Sequence, residues 1–390
     1  MTPVARLAEA AALLDRIGQG AAAEQVLTTW GRRARYAGSG DRAAVRDLVF
    51  DVLRKRRSCA ARGGGETGRA LVLGLLREQG ADPADWFTGA RHALAPLSAA
   101  EAAGGRVPEG REALDIPDWI GGRLEASLGA RTEAVCRALR ERAPLFLRWH
   151  AGRTDAEGAI AALAEDGVAA EPSALAPTAL RVRSGARRLR RAGAYLSGLV
   201  EVQDAASQAV CAALPAGPGT RVLDYCAGGG GKALALAARG AEVTAHDADP
   251  GRMADLPDRA ARAGAAIRKA ATHDLAGLPP FDLVLTDVPC SGSGAWRRQP
   301  EAKWRLTEAE LSRLRSRQAA ILAAAAGRVR PGGALAYVTC SLLAEENADQ
   351  VARFVEAAPE RWVCEVQHGS TPLEGGDGMF LALMRDCRAG

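Results

Sequence analysis

RVLDYCAGGGGK, residues 221–232, decides the fold. Arg221–Tyr225 reads as a short strand, and four consecutive glycines break it before an alanine- and leucine-rich helical stretch begins at Lys232. A strand that stops on glycine and restarts as a helix is the first half of a βα unit. Glycine there lets backbone approach a ligand, and the helix N-terminus favours negative charge. Downstream the alternation repeats. Glu242–His246, Ala266–Lys269, Phe281–Thr286 and Ala334–Thr339 are strand candidates separated by helical stretches, which predicts a parallel, doubly wound sheet. Trp362–Gln367 and Met379–Met384 have no helix-length segment between them and are expected to pair antiparallel at one edge.

Upstream the pattern differs. Leu145–Trp149 reads as a strand, Ala156–Glu165 as a helix and Leu180–Val182 as a strand, giving a small α/β module over 144–200. Residues 1–143 read as helices. Val4, Leu7, Ala11, Leu14 and Ile17 recur at helical spacing, and Asp41 is expected to cap a helix carrying Val45, Leu48, Val49 and Leu53. Further helices are expected at Ala70–Glu78, Pro117–Leu128 and Thr132–Arg142. The expected division is therefore 1–143, 144–200 and 201–390.

Bulk properties narrow the class. A 390-residue chain with 48% apolar and 25% charged residues is an ordinary multidomain globular protein. Arg6, Glu9, Asp15 and Arg16 interrupt the first 18 residues, so no signal peptide is expected. No apolar run approaches the roughly 20 residues of a membrane span, and a cytoplasmic monomer without membrane association is expected. Eight cysteines with no C-x-x-C pair suit reduced thiols better than disulfides or zinc, so no metal is expected.

The net charge of +5 is unevenly spread. Arg32–Arg57 holds nine basic residues against three acidic, Arg181–Arg191 six against none, and Cys290–Arg317 seven against three with Trp296 and Trp304 among them. Each cluster alone could be a solvated face in an arginine-rich chain. Three together favour a nucleic-acid partner. Only four of the 51 basic residues are lysine (Lys55, Lys232, Lys269 and Lys303), which hints at compact point charges where they occur.

Ligands of such sheets bind outside the carboxyl ends of the strands. Cys226 to Lys232 follow the first strand of this sheet, Asp247 the second, Asp274 the third, Asp287-Val288-Pro289-Cys290 the fourth and Cys340-Ser341 the fifth. Gly228-x-Gly230-x-x-Ala233 with Asp247 downstream also matches a dinucleotide fingerprint, so the loop alone leaves S-adenosylmethionine and a nicotinamide or flavin cofactor open. A phosphate-binding P-loop is rejected, because position 226 is Cys and position 233 is Ala. The two strand-end cysteines discriminate. Carbon 5 of cytosine is too electron-poor to attack a methyl sulfonium, but a thiolate adding to carbon 6 makes it nucleophilic. A carboxyl at ring nitrogen 3, such as Asp287, would accommodate the electron density. A second thiol could assist elimination.

DYCAGGGGK, AHDADPGRM, FDLVLTDVPCSGSGAWRRQPEAKW, RPGGALAYVTCSLLAEEN and DGMFLAL together resemble the RsmB/Sun/NSUN family of RNA cytosine-5 methyltransferases. The resemblance implies a Rossmann-like class I methyltransferase domain with a mostly parallel seven-stranded sheet and S-adenosylmethionine as cofactor. It implies that Cys226, Ala227, Gly228, Gly229, Gly230, Gly231, Lys232, Asp247, Arg252, Asp274 and Asp287 contact or border that cofactor. It further implies Cys340 as nucleophile, Cys290 as the thiol assisting release, and Lys232 and Lys303 at positions where members carry lysine. The module and helical region resemble the family's RNA-binding module and the NusB-like domain of its bacterial 16S ribosomal RNA member, favouring 16S ribosomal RNA over transfer RNA. Gly228-Gly229 stands where Ala-Pro is usual, Ala233 where Thr is common, and Val288 where Ala is usual. His246 and His273 are expected to be structural or solvent-facing. A nicotinamide-dependent oxidoreductase is the rival reading, and an inactive RNA-binding assembly factor is a further one.

Overall fold

The computed structural model describes residues 1–389, which form two compact units. The first is Met1–Arg142 together with Trp296–Leu306, and the second is Ala143–Ala295 together with the chain from Thr307 onward.

The first unit is helical: Pro3–Gly18, Ala23–Arg33, Ser39–Arg54, Arg56–Gly63, Gly68–Glu78, Asp118–Leu128 and Thr132–Leu139 are its longer helices. Leu7, Leu14, Val26, Val45, Val49, Leu73 and Leu75 bury one stripe of their helices in a common core. The helices Arg56–Gly63 and Gly68–Glu78 approach closely at Gly74, where a Cβ would stand 1.8 Å from the Cys59 carbonyl oxygen. Asp41 is not the cap residue. It sits in the first turn of Ser39–Arg54 and accepts from the Gly38 N–H at 3.1 Å, while also binding the Met1 amine and Arg6.

Residues 296–306 were expected inside the sheet domain, and they complete the helical unit instead. Within it the Glu301 carboxylate accepts from the Ala23 N–H at 2.8 Å, at the start of a helix whose first amides lack internal partners. Trp304 Nε1 donates to the Leu53 carbonyl at 2.6 Å, Lys303 Nζ to the Arg54 carbonyl at 3.3 Å, and Arg54 Nε to the Arg297 carbonyl at 2.8 Å. Lys303 is 3% exposed, and burial brings its ammonium down to about 8. Sequence pattern could not show this, because an eleven-residue excursion carries no periodic signal of its own.

The second unit holds two sheets. β1 (Phe146–Trp149), β2 (Ala169–Pro172), β3 (Ala179–Ser184) and β4 (Val200–Val202) form an antiparallel sheet in the order β2-β3-β1-β4. The helix Ala156–Glu165, capped by Asp155 accepting from the Gly158 N–H at 2.7 Å, buries Ala159 and Leu163 in this module's core. β2 and β4 escape sequence reading because they are short and carry Glu171 and Glu201 where apolar residues would signal a strand.

The larger sheet comprises β5 (Arg221–Asp224), β6 (Glu242–Ala245), β7 (Ile267–Lys269), β8 (Phe281–Asp287), β9 (Val329–Thr339), β10 (Trp362–Ser370) and β11 (Met379–Asp386). Its order is β10-β11-β9-β8-β5-β6-β7, with β5 to β9 mutually parallel and β11 antiparallel to both its neighbours. This is the expected mostly parallel seven-stranded architecture. Val222, Leu283, Leu285, Ala336 and Val338 pack on one face, and Leu223, Val284, Leu335 and Tyr337 on the other. Strands covered on both faces read as apolar runs, which is why they were visible. β9 begins earlier than expected, at Val329, because its register against β8 jumps across Pro331-Gly332-Gly333 between Val329 and Ala334.

Candidate active site

Parallel pairing of β6-β5-β8-β9 sets four strand ends side by side. The loop leaving β5 turns through Gly228 (φ +50°) and Gly230 (φ +79°) into the helix Gly231–Ala237. At Gly230 a side chain is opposed twice over, by the strain of a left-handed backbone and by a Leu256 methyl 2.2 Å from where its Cβ would stand, which would have to move. From the small module, buried Arg148 donates to the Gly231 carbonyl at 3.1 Å and to Gln203 Oε1 at 2.8 Å, and Gln203 Nε2 donates to the same carbonyl at 3.2 Å. Nothing in the sequence marked Arg148 for this role.

Asp247, just beyond β6, is buried and organises the neighbouring backbone. It accepts from the Gly228 N–H at 3.0 Å, the Asp249 N–H at 3.0 Å and Arg252 at 3.2 Å. Asp274 lies past β7 in an exposed turn and accepts from the Ala271 N–H at 3.2 Å. Asp287 ends β8 and receives Lys232 Nζ at 2.6 Å. Burial alone would lower the Lys232 ammonium, but Asp287 outweighs it and holds it above its ordinary value. Cys226 stays a neutral thiol, pushed up to about 12 by burial and then by Asp224.

Asp224, at the end of β5, went unnoticed in the sequence. It is 1% exposed, neither carboxylate oxygen receives a well-formed hydrogen bond, and burial followed by Asp287 raises it to about 7. Its signal was available: an acid closing an otherwise apolar central strand is expensive unless something pairs with it.

Cys290 and Cys340 converge, with their sulfurs 3.4 Å apart. The β8–β9 register, which opposes Asp287 to Val338, places their loops together, and Gly294 N–H donates to the Cys340 carbonyl at 2.9 Å. The hydrogen bond with Cys340 and then burial raise the Cys290 thiol well above its ordinary value. His246 is buried, with Nδ1 2.7 Å from the Tyr225 carbonyl and Nε2 2.9 Å from Thr272 Oγ1, and His273 is exposed. Neither reaches the thiols through any of these contacts. Lys303 belongs to the helical unit.

Asp224, Asp247, Asp274 and Asp287 stand at this edge, and Lys232, Arg252 and Arg259 are paired with Asp287, Asp247 and Glu201. The unpartnered Asp224 carboxyl and the open Gly228–Gly231 backbone fit S-adenosylmethionine.

Comparisons with known proteins bear on the family and the fold. A family model described as 16S rRNA methyltransferase RsmB/F matches residues 211–384, and one for the RsmF/B-like ferredoxin-like domain matches residues 116–187. Proteins called ribosomal RNA small subunit methyltransferase B from Salmonella paratyphi B and Salmonella typhi are 33% identical over 280 residues, 68% of this chain. The matched stretch spans 65% of the length of those relatives. The crystal structure of PH0851 superposes with a TM-score of 0.77 at 22% identity, covering 98% of this chain and 99% of that one. NSun6 from Pyrococcus horikoshii with SFG gives 0.63 at 17% identity, covering 70% of this chain and 99% of that one.

Proposed function

Because the chain belongs to the RsmB/F methyltransferase family through residues 116–187 and 211–384, we propose that it transfers a methyl group from S-adenosylmethionine to carbon 5 of a cytosine in RNA, with 16S ribosomal RNA as substrate. The observation that carries this reading is the thiol pair: two cysteines from different strand ends, 3.4 Å apart, with Cys290 three residues after a lysine-paired aspartate.

S-adenosylmethionine, when bound, supplies an electrophilic methyl group. The Gly228–Gly231 backbone, Asp247, Arg252, Asp274 and Asp224 are the groups that hold it, with Cys226 and Ala227 in the same loop. Cys340 is the nucleophile: it gives its proton to solvent, its sulfur bonds to carbon 6 of the cytosine, the ring's electron pair moves towards carbon 5 and nitrogen 3, and carbon 5 takes the methyl group as that group's bond to the donor sulfur breaks. Asp287 passes a proton to nitrogen 3 as that density arrives, and the Lys232 ammonium 2.6 Å behind it stabilises the carboxylate left behind. Cys290, a protonated thiol beside Cys340, can donate to the departing sulfur when the carbon 5 proton is lost and the carbon 6–sulfur bond breaks.

Of the three basic clusters, Arg181–Arg191 fits RNA best. Arg181, Arg183, Arg187, Arg188, Arg190 and Arg191 are all exposed on β3 and the turn after it. The Arg32–Arg57 cluster is largely absorbed by local ion pairs with Glu24, Asp51, Glu78, Glu66 and Asp118. The test is methyl transfer from labelled S-adenosylmethionine to unmodified 16S ribosomal RNA, followed by nucleoside analysis. 5-Methylcytosine is the expected product. Label on another nucleoside, or on transfer RNA alone, overturns the assignment.

A further inference from the structure

Immediately behind the two thiols lies a carboxylate that the reaction itself does not use. Glu346 is 0% exposed, and its oxygens accept from Ser291 N–H at 2.9 Å, Ser291 Oγ at 2.5 Å, Ser341 Oγ at 2.5 Å and Gln318 Nε2 at 2.9 Å. Ser291 follows Cys290 and Ser341 follows Cys340 in the chain. One carboxylate therefore holds the residue next to each sulfur, in two loops that are 50 residues apart in sequence. Ser293 closes the network: its hydroxyl lies 3.1 Å from Ser341 Oγ and accepts from the Leu342 N–H at 2.8 Å.

We propose that Glu346 is a positioning residue that sets the separation of the Cys290 and Cys340 sulfurs, and thereby the alignment of attack and release. This deepens the methyltransferase reading and rests on it for its catalytic meaning. Its geometric content stands independently. Burying a carboxylate among four neutral donors is costly unless every lone pair is used, and here both oxygens are doubly used. A neutral core would hold the loops without that cost. What the carboxylate adds is acceptor capacity on both sides, which fixes two serine hydroxyls and one amide in a single orientation. A glutamine at this position can accept on one oxygen only. Its NH2 group would have to face the two serine hydroxyls and reverse their polarity, leaving the site filled but the clamp loose.

The experiment compares Glu346→Gln and Ser341→Ala with the parent protein by two readouts. The first needs no RNA: diamide oxidation of the Cys290–Cys340 pair, followed by thiol mapping, measures how often the sulfurs meet. Both variants are expected to keep S-adenosylmethionine affinity within about twofold and to form the disulfide at least ~10-fold more slowly. The second readout is methyl transfer, expected to lose kcat by roughly 10- to 100-fold with KM for RNA little changed, as for a misplaced reacting group. Disulfide formation at the parental rate in both variants overturns the proposal, whatever their activity. A parent protein that methylates no cytosine refutes the methyltransferase reading, while the oxidation rates still decide whether Glu346 sets the sulfur geometry. If Glu346→Gln does not fold, Ser341→Ala, which deletes one hydroxyl, decides alone.

Discussion

At the scale of single residues, the proposal gives different roles to two sulfurs that lie 3.4 Å apart. The difference in role predicts different failures. Cys340→Ala is expected to abolish methylation without leaving any RNA–protein adduct. Cys290→Ala is expected to attack and methylate, then stall as a covalent RNA complex visible on a denaturing gel. An adduct in Cys340→Ala and none in Cys290→Ala would reverse the two roles. Asp287→Asn keeps the size of the side chain but removes the charge that holds Lys232, and turnover is expected to fall at least ~100-fold with RNA still bound. Asp224 gives a pH signature. Its carboxyl holds a proton up to about 7 in the folded protein, against 3.8 for an ordinary aspartate. The folded state thus binds more protons between those values, and stability falls as pH rises through the window and stays lowered above it. Asp224→Asn removes this loss. Relative to the parent, its melting temperature is expected to rise between pH 5 and pH 8, by an amount equivalent to a few kcal/mol at most. Parallel melting curves across that range would show that Asp224 is ionised throughout.

At the scale of elements, the first loop is held from three directions: by Asp247 on Gly228, by Leu256 against Gly230, and by Arg148 with Gln203 on the Gly231 carbonyl. Gly230→Ala must move Leu256 and strain a left-handed residue, so S-adenosylmethionine affinity is expected to drop at least ~10-fold in calorimetric titration, with a cost of about 1–3 kcal/mol in stability. Arg148→Met should weaken cofactor binding less and leave the sheet intact, and an unchanged dissociation constant would separate the small module from the loop's function. The sheet was legible because strands buried on both faces announce themselves as Val-Leu-Ile-Ala runs, and the loop because glycines followed a strand. The thiols were legible because cysteine at two adjacent strand ends is a rare coincidence. What stayed hidden depends on residues that look ordinary in a row: Arg148 in a short strand, and Glu346 five positions after Ser341. Arg148 meets Gln203 and the Gly231 carbonyl, and Glu346 meets Ser291 and Gln318, all from distant sequence, so their meaning exists only after folding.

At the scale of the whole molecule, sequence order and spatial order part company once, at Trp296–Leu306. The eleven residues leave the sheet domain six positions after Cys290, join the helical unit, and return before the helix Glu308–Ala326. Without them the Ala23 amide and the Leu53 and Arg54 carbonyls lose their partners. At about 1 kcal/mol for each bond, a fragment of residues 1–142 should melt roughly 10 °C below the same unit in the full chain. A peptide of residues 296–306 added in trans should recover part of that difference, and a fragment as stable as the intact unit would make the segment a passenger. A consequence follows for biosynthesis. A ribosome releases the helical region first, but the piece that finishes it emerges only 164 residues after Arg142, the span from there to Leu306. At ~5–20 residues per second the wait is on the order of ten to thirty seconds. During that interval the nascent chain exposes an unfinished surface, so the completion of the helical unit is timed by translation speed across the second half of the message.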